Sequence, residues 1–250
     1  MQRVPLCLSR GPKVRYENWP VTQGIPFAEQ QLARGTPVRV VNAAGTPLPT
    51  QSRSLTTWDA DQRFVRWLLV DFQTDAGAGD GSGSTDGFVL EYGDDVDSPA
   101  PPHPVQIEQH DTGLLVDTGV LRAQITPQAP LTDICIHDDQ AWKPLWSEGA
   151  ALKLTMNDDH GQLYESGHLP ATVTVEEQGP LRACVLVRGH LATARGRRFC
   201  PYILRLHFTA GRRDVRLQHT FIFDQEPELV QVAGIAVHVP PTRTTKATGS

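Results

Sequence analysis

Residues 181–223 read LRACVLVRGHLATARGRRFCPYILRLHFTAGRRDVRLQHTFIF, and this stretch decides the fold class. Three segments within it, 181–190, 201–209 and 215–223, alternate apolar and polar side chains with the period of two that a β-strand has. The connections around them carry turn residues, as at Gly179-Pro180 and Ala210-Gly211. The stretch therefore predicts three antiparallel strands, each with one apolar and one polar face.

The rest of the second half continues this pattern. A last strand at 230–239 changes its apolar phase at Ala233-Gly234. Such a change predicts a β-bulge. Further strands are predicted at 113–117, 120–126, 152–156 and 172–176.

The first half contains one nearly continuous apolar run, residues 63–72 (RFVRWLLVDF). The run would also satisfy a helical stripe. Because it is short and rich in β-branched and aromatic residues, we predict a strand buried on both faces, with Trp67 in the core. Residues 27–34, followed by Gly35, predict a short helix that ends at the glycine.

Glycine and proline punctuate the whole chain, with 21 glycines and 20 prolines among 250 residues. Long helices should therefore be rare and turns frequent. Residues 93–104 (GDDVDSPAPPHP) are acidic and proline-rich and offer little to a core. We predict an all-β protein of two domains, 1–104 and 105–240, followed by a polar tail at 241–250.

The composition describes a globular protein and disfavours several partners. Hydrophobic residues make up 39% of the chain and charged residues 20%. The net charge of −5 argues against a nucleic-acid partner. No run of about 18 apolar residues is present, which argues against a membrane partner. The N-terminus does not resemble a secretory signal, so the compartment is unknown and the cytoplasm is favoured.

Sequence motifs for cofactors and metals are missing. There is no GxSxG, P-loop, HExxH or complete GxGxxG motif. The spacing from Asp80 to Glu91 imitates a calcium loop but lacks its central glycine, so we interpret it as a hairpin loop. The acidic cluster Asp158-Asp159-His160 is interpreted as a solvated turn. We expect neither a cofactor nor a metal site.

The four cysteines fit neither a zinc site nor a CxxC redox motif. We interpret them as reduced core residues. A Cys184–Cys200 bridge between neighbouring strands is the alternative if the protein is exported.

The polar face of the three quoted strands is basic, on a chain that is acidic as a whole. Arginine pairs with carboxylates and histidine exchanges protons near neutral pH, so an acidic sugar would suit this face. The alternative is an ordinary solvated sheet face. Trp58, Trp142 and Trp146 are candidate platforms for sugar rings. The face collects Arg182, Arg188, Arg205, His207, Arg216 and Gln218.

Several segments, in order, resemble the exo-rhamnogalacturonan lyase family, also called the YetA-like family. Residues 18–27 (NWPVTQGIPF) are similar to that family's opening, and Pro49-Thr-Gln51 to the stretch that follows it. Residues 64–72 (FVRWLLVDF) are similar to its Ser-Val-Arg-Trp-Leu-Leu-x-Asp-Phe strand, with Phe64 in place of the serine. In the second half the resemblance rests on residues 116–122, 179–182, 210–211 and 219–224.

This resemblance implies an N-terminal RIFT-type β-barrel, a central antiparallel β-sandwich and then a helical toroid domain. The toroid has no counterpart in this sequence. We therefore interpret the chain as the β-domain portion, a fragment or a shortened relative, that is not catalytic alone. The alternatives are an active lyase and a structural module that packs on a helical partner domain.

The activity that the resemblance implies is β-elimination on an acidic pectic oligosaccharide. Such a lyase needs a cation at the uronate carboxylate, a base for the C5 proton and an acid for the leaving oxygen. Candidate catalytic residues in the second half are Arg205, His207, His219 and Tyr202. Candidate substrate-binding residues are Arg182, Arg188, Arg216, Trp58 and Trp142.

Overall fold

A computed structural model describes residues 1–7, 16–76, 86–138 and 140–242. Within these residues the regular structure is strands and turns without a helix, which confirms the all-β fold class. The calcium-like spacing after Asp80 and most of the tail at 241–250 lie outside the described residues. The chain forms two compact units, one of Met1–Pro102 with Gly179–Leu181 and one of His103–Gln178 with Arg182–Ser250.

The first unit contains two antiparallel sheets. The four-stranded sheet has the order β1-β7-β3-β4 and the three-stranded sheet the order β2-β6-β5. The RIFT-type barrel stays a prediction for this unit. The strands are β1 (Gln2–Cys7), β2 (Tyr16–Pro26), β3 (Val38–Val41), β4 (Pro47–Leu48), β5 (Thr50–Thr57), β6 (Val65–Ala76) and β7 (Asp86–Tyr92).

One apolar core serves both sheets of the first unit. Strand β6 contributes Val65, Leu68, Val70 and Phe72, all buried. Trp67, in contrast, is 42% exposed, so the prediction of a strand buried on both faces was wrong. The reason is strand alternation: Leu68, Val70 and Phe72 take the buried side, so Trp67, one residue before Leu68, lies on the other side.

The predicted helix at 27–34 was also wrong, because this segment is a series of turns. Within the segment the amide of Gln31 donates to the carbonyl of Ala28 in a turn, while other backbone groups bond to residues 63–66. The amide of Phe27 donates to the carbonyl of Arg66, and that of Arg34 to Arg63. Gln30 and Gly35 both have positive φ, which a helix does not contain. The tertiary pairing overrides a weak local helix propensity.

The second unit also contains two antiparallel sheets. The five-stranded sheet has the order β12-β11-β10-β9-β8; the seven-stranded sheet has the order β18-β17-β16-β14-β13-β19, with β15 also paired to β16. The strands are β8 (Gln106–His110), β9 (Gly113–Asp117), β10 (Leu121–Ile125), β11 (Thr132–His137), β12 (Trp142–Pro144), β13 (Lys153–Asp158), β14 (Leu163–Glu165), β15 (Thr172–Glu177), β16 (Arg182–Ala192), β17 (Arg198–Thr209), β18 (Arg216–Phe221) and β19 (Val232–His238).

Each sheet of the second unit has a buried apolar set, as a β-sandwich requires. In the five-stranded sheet Val116, Ala123 and Ile125 are fully buried. In the seven-stranded sheet the alternate residues of β17, among them Leu204, are buried in the same way, whereas β16 is buried on both sides from residue 183 to residue 187. The alternation that predicted strands in the quoted stretch is therefore confirmed.

Two smaller predictions about this unit have opposite outcomes. The bulge in the last strand is confirmed: Asn157 pairs with Gly234 and Asp158 with Val232, so Ala233 is the extra residue. The alternative of a Cys184–Cys200 bridge is wrong, because both thiols are free. Cys184 pairs across to His207 on β17, at a distance from Cys200 along that strand.

Within the described part of the chain, there is no helix with the length and apolar character that crossing a membrane would require.

A buried ion-pair network joins three strands of the first unit. Glu91 on β7, whose side chain is 3% exposed, accepts from Arg39 Nε at 2.8 Å and from Arg3 Nη2 at 2.7 Å. The hydrogen bond from Arg39 has the largest effect, and the two arginines together lower the pKa of Glu91 despite its burial.

We expect Glu91→Gln to lower the free energy of unfolding by about 2–3 kcal/mol near neutral pH, since it leaves two guanidinium groups without their carboxylate. A carboxylate with a lowered pKa stabilises the fold above its ordinary pKa, and this contribution is lost as the pH falls through the folded-state pKa. The difference between wild type and variant should therefore shrink in acid. Denaturant unfolding over a pH series measures it. The control is Glu29→Gln, at an exposed turn; an equal loss in both variants would contradict the assignment.

Candidate functional site

The predicted basic face is formed by β16, β17 and β18. In the register, Cys184 lies opposite His207 and His207 opposite Arg216, while Arg205 lies opposite Gln218. Because paired residues point to the same side of a sheet, all six residues of the predicted basic face share this side. We refer to it below as the outer face.

Two arginines of the outer face are already paired with carboxylates of the same unit. Arg182 Nη2 donates to Glu177 Oε2 at 2.6 Å, and both side chains are largely buried. Arg205 donates from Nε and Nη2 to the two oxygens of Glu176, at 2.6 and 2.8 Å. This bidentate pairing is the geometry that a bound uronate would otherwise occupy.

The two glutamates are the residues that sequence reasoning missed. They end β15, and a bulge lies between Val175 and Glu177: Val175 pairs with Val185 and Glu177 with Cys184. The extra residue is Glu176, so two consecutive carboxylates reach the same face. The adjacent acidic pair at the end of a β-strand was the available signal, but alternation alone assigns the two glutamates to opposite faces.

The thiol of Cys184 lies beneath this network. Its Sγ donates to Glu176 Oε2 at 3.4 Å. Burial, followed by the neighbouring carboxylate, raises the pKa of Cys184 to about 12. The thiol is therefore protonated and is not a nucleophile near neutral pH.

His207 is the titratable group at the centre of the outer face. Its Nδ1 lies 3.4 Å from Arg182 Nη1. Burial is the largest cause that lowers the pKa of His207, and the charges of Arg182 and Arg216 lower it further. The neutral imidazole is therefore favoured, which suits a proton acceptor.

The other two candidate catalytic residues point to the opposite side of the same sheet. Tyr202 pairs with Gly189 and His219 with Leu204, both in the buried phase of the strands. Tyr202 is 2% exposed, and burial raises its pKa to about 12. Burial also lowers the pKa of His219, whose Nε2 has no hydrogen-bond partner in the described part of the chain. The structure thus separates Tyr202 and His219 from Arg205 and His207.

The remaining arginines, Arg188 and Arg216, are exposed at two distant points of the outer face. Arg188 pairs with Ile203 and Arg216 with His207, four residues further along β17. At 3.3 Å per residue the two positions are about 13 Å apart along the strand. They cannot hold one carboxylate together.

Of the three predicted sugar platforms, Trp146 is buried, with 5% of its surface exposed, and the other two lie away from the outer face. Trp142 belongs to β12 in the five-stranded sheet, where the guanidinium carbon of Arg122 lies 4.1 Å from the indole centroid and His137 packs edge-on. Trp58 follows β5 in the first unit and is 41% exposed.

The acidic cluster Asp158-Asp159-His160 is a turn whose carboxylates are used internally. Asp158 Oδ1 accepts from the amides of His160 and Gln162, and its Oδ2 accepts from the hydroxyl of Tyr164. Asp159 accepts from the amide of Gln231. The three residues lie close enough to hold an ion, but these bonds account for the cluster as a turn.

The comparisons with known proteins identify the family. The model of the PcRGLX-like protein central beta sandwich domain matches residues 105–246, more than half of the chain. The chain therefore belongs to the PcRGLX-like protein family, and the resemblance found in the sequence is confirmed. The uncharacterized protein YetA of Bacillus subtilis (strain 168) is 24% identical over 237 residues, which is 92% of this chain but 26% of YetA.

A protein in the glycosyl hydrolase family 38 from Enterococcus faecalis matches with a TM-score of 0.47 and 11% identity, over 88% of this chain and 31% of that one. This likeness is too weak to carry an argument about fold or function. The chain spans about a quarter of the YetA protein that it matches.

We expect Arg216→Ala to raise the pKa of His207, because the variant removes one of the two positive charges that lower it. The shift can be followed by NMR titration of the imidazole protons. Arg188→Ala is the matched control, since it removes an exposed arginine of the same face that pairs with Ile203 instead of His207. Equal shifts in both variants, or none in Arg216→Ala, would show that the charge of Arg216 does not reach the imidazole.

Proposed function

We propose that this member of the PcRGLX-like family is the β-domain portion of an exo-rhamnogalacturonan-lyase-like carbohydrate-active protein and does not catalyse elimination by itself. The supporting observation is the division of the candidate catalytic residues between the two sides of one sheet. The match to YetA covers 26% of that protein, which agrees with the proposal of a portion of a longer protein.

Elimination at a uronate requires three groups around one sugar ring at the same time: a cation, a base and an acid. On the outer face His207 would serve as the base, but its neighbours Arg182 and Arg205 are already neutralised by Glu177 and Glu176. A bound uronate would have to displace one of these carboxylates; displacing Glu177, which is buried, would leave that charge without its partner, which is costly. The phenol that would serve as the acid is enclosed on the other side.

A second candidate function is a module that packs on a helical partner domain. Six of the exposed large hydrophobic residues lie near the C-terminal end of the described chain. They are Phe221, Ile222, Leu229, Ile235, Val237 and Val239. Phe221 ends β18, whereas Ile235 and Val237 belong to β19 at the other edge of the seven-stranded sheet, so the two groups are separate. The exposed apolar residues along β19 are the ones that would mark an interaction surface.

The edge strand β19 supports this second candidate. Its sequence, VAGIAVH, contains no charged residue and no proline. Every other edge strand of the described sheets contains at least one, as Arg3 on β1, Glu108 on β8 and Arg216 on β18 illustrate. Charges and prolines protect edges from other chains, so their absence from β19 favours an edge that a partner covers.

The proposal of a non-catalytic portion is tested with rhamnogalacturonan oligosaccharides. The unsaturated uronate product absorbs ultraviolet light, and we expect no rise in absorbance with the intact chain. A rise that His207→Ala abolishes would overturn the proposal and make the chain an active lyase. Tyr202→Phe, which removes the enclosed hydroxyl, provides the matched comparison for the opposite side of the sheet.

The packing surface makes a separate prediction about stability. Ile235 on β19 pairs with Met156 on β13, but Ile235 is exposed and Met156 is fully buried. We expect Ile235→Lys to change the free energy of unfolding by less than about 0.5 kcal/mol and Met156→Lys to prevent folding. A hydrophobic dye should also bind less to Ile235→Lys. A large loss of stability in Ile235→Lys would show that the residue serves the chain's own fold instead of an interface.

A further inference from the structure

Two tryptophans of the first unit are exposed close together in the strand register. Trp67 on β6 pairs with Thr56 on β5, and Trp58 lies two residues after Thr56, directly after the end of β5. Their exposed fractions are 42% and 41%. An indole buries much apolar area when it is covered, so an exposed indole on β6 beside another just after β5 suggests a surface for a ligand.

Trp67 lies against the backbone of the neighbouring strand. Gly24 on β2 lies directly beneath the indole, since a Cβ atom added there would come within 2.4 Å of Trp67 Nε1. The glycine thus allows the ring to rest on the sheet surface. An indole supported on one side by a strand and exposed on the other presents a flat apolar surface to solvent.

Trp58 is held in place by its own polar atom. Its Nε1 donates to the carbonyl oxygen of Phe27 at 2.9 Å, which fixes the ring across the end of the sheet. The guanidinium carbon of Arg66 lies 4.7 Å from the ring centroid. This cation–π contact orients the arginine without neutralising it.

Arg66 carries a charge that the fold does not use in an ion pair. It is exposed, and the described part of the chain places no carboxylate within ion-pair distance of it. Its neighbour Arg63, in contrast, lies near Asp59 and Asp61. Arg66 is therefore available to a carboxylate from outside.

The β6 bulge brings these groups to one side. Arg66 is the residue left over between Val65, which pairs with Thr57, and Trp67, which pairs with Thr56. Both Arg66 and Trp67 are exposed, while Val65 and Leu68 on either side are buried. Without the bulge, the alternation of a strand would send the arginine and the tryptophan to opposite faces.

We propose that Trp58, Arg66 and Trp67 form a binding platform for a hexuronate residue of an oligosaccharide. The apolar C–H face of the sugar ring stacks on Trp67, and the guanidinium of Arg66 pairs with the uronate carboxylate. The choice of a uronate rests on the proposed function, whereas the aromatic platform rests on the geometry alone.

The test is a calorimetric titration of the full chain with rhamnogalacturonan oligosaccharides. We expect saturable binding that Trp67→Ala weakens at least about tenfold, because the stacking surface is lost. Gly24→Ala is a second variant, which keeps the indole but lifts it from the strand, and it should weaken binding as well. Unfolding curves establish that each variant is folded.

Matched controls separate the platform from other surfaces. Trp142→Ala removes another predicted sugar platform, and Arg63→Gln removes the paired neighbour of Arg66; both should bind as wild type. Arg66→Gln should weaken binding of the uronate oligosaccharide but not of its carboxyl-reduced form. Equal losses for both sugars would overturn the carboxylate contact, and wild-type affinity in Trp67→Ala would overturn the platform.

The outcomes are distinguishable from those of the proposed function. Absence of saturable binding overturns the platform and leaves the proposal of a non-catalytic portion standing. A rise in ultraviolet absorbance overturns that proposal whether or not Trp67 contributes to binding.

Discussion

The antiparallel register of β16 on β17 is the constraint on which the second unit depends. These are long strands, and they remain paired without a register shift from Arg182 opposite Thr209 to His190 opposite Pro201. Because side chains alternate strictly along such a ladder, the register assigns every residue to one side of the sheet. A shift by one residue would place His207 in the buried layer and Tyr202 on the outer face.

Charge compensation then determines what the outer face can do. Four arginines and a histidine suggest a strongly basic surface in the sequence. In the folded unit, Glu176 and Glu177 neutralise Arg205 and Arg182, and the exposed cations that remain are far apart. The paired charges fix the side chains in defined positions, and breaking one pair leaves a partly buried charge without its partner. The outer face is therefore better described as an ordered polar layer than as an anion site.

The sequence predicts what depends on alternation and misses what depends on a partner strand. The apolar alternation of residues 181–223 predicts the strands and their faces, because apolar side chains take the buried side of a strand and polar side chains the other. The phase change at Ala233 is visible for the same reason. The prediction of a helix at 27–34 was wrong because several backbone hydrogen bonds of this segment go to residues 63–66. No pattern within the segment indicates that these residues lie beside it. The pairing of Glu177 with Arg182 was missed because it requires knowledge of which strand lies beside β16.

In each of the two units a β-bulge places two consecutive side chains on the same face of a sheet. In the second unit a bulge on β15 places Glu176 and Glu177 on one face; in the first a bulge on β6 does the same for Arg66 and Trp67. A regular strand can present only every second residue, at a spacing of roughly 7 Å. A bulge places two adjacent side chains within reach of a single ligand or a single cluster. In the second unit these side chains are bonded to their own sheet. In the first they remain exposed, and this difference is why the proposed binding platform lies in the first unit.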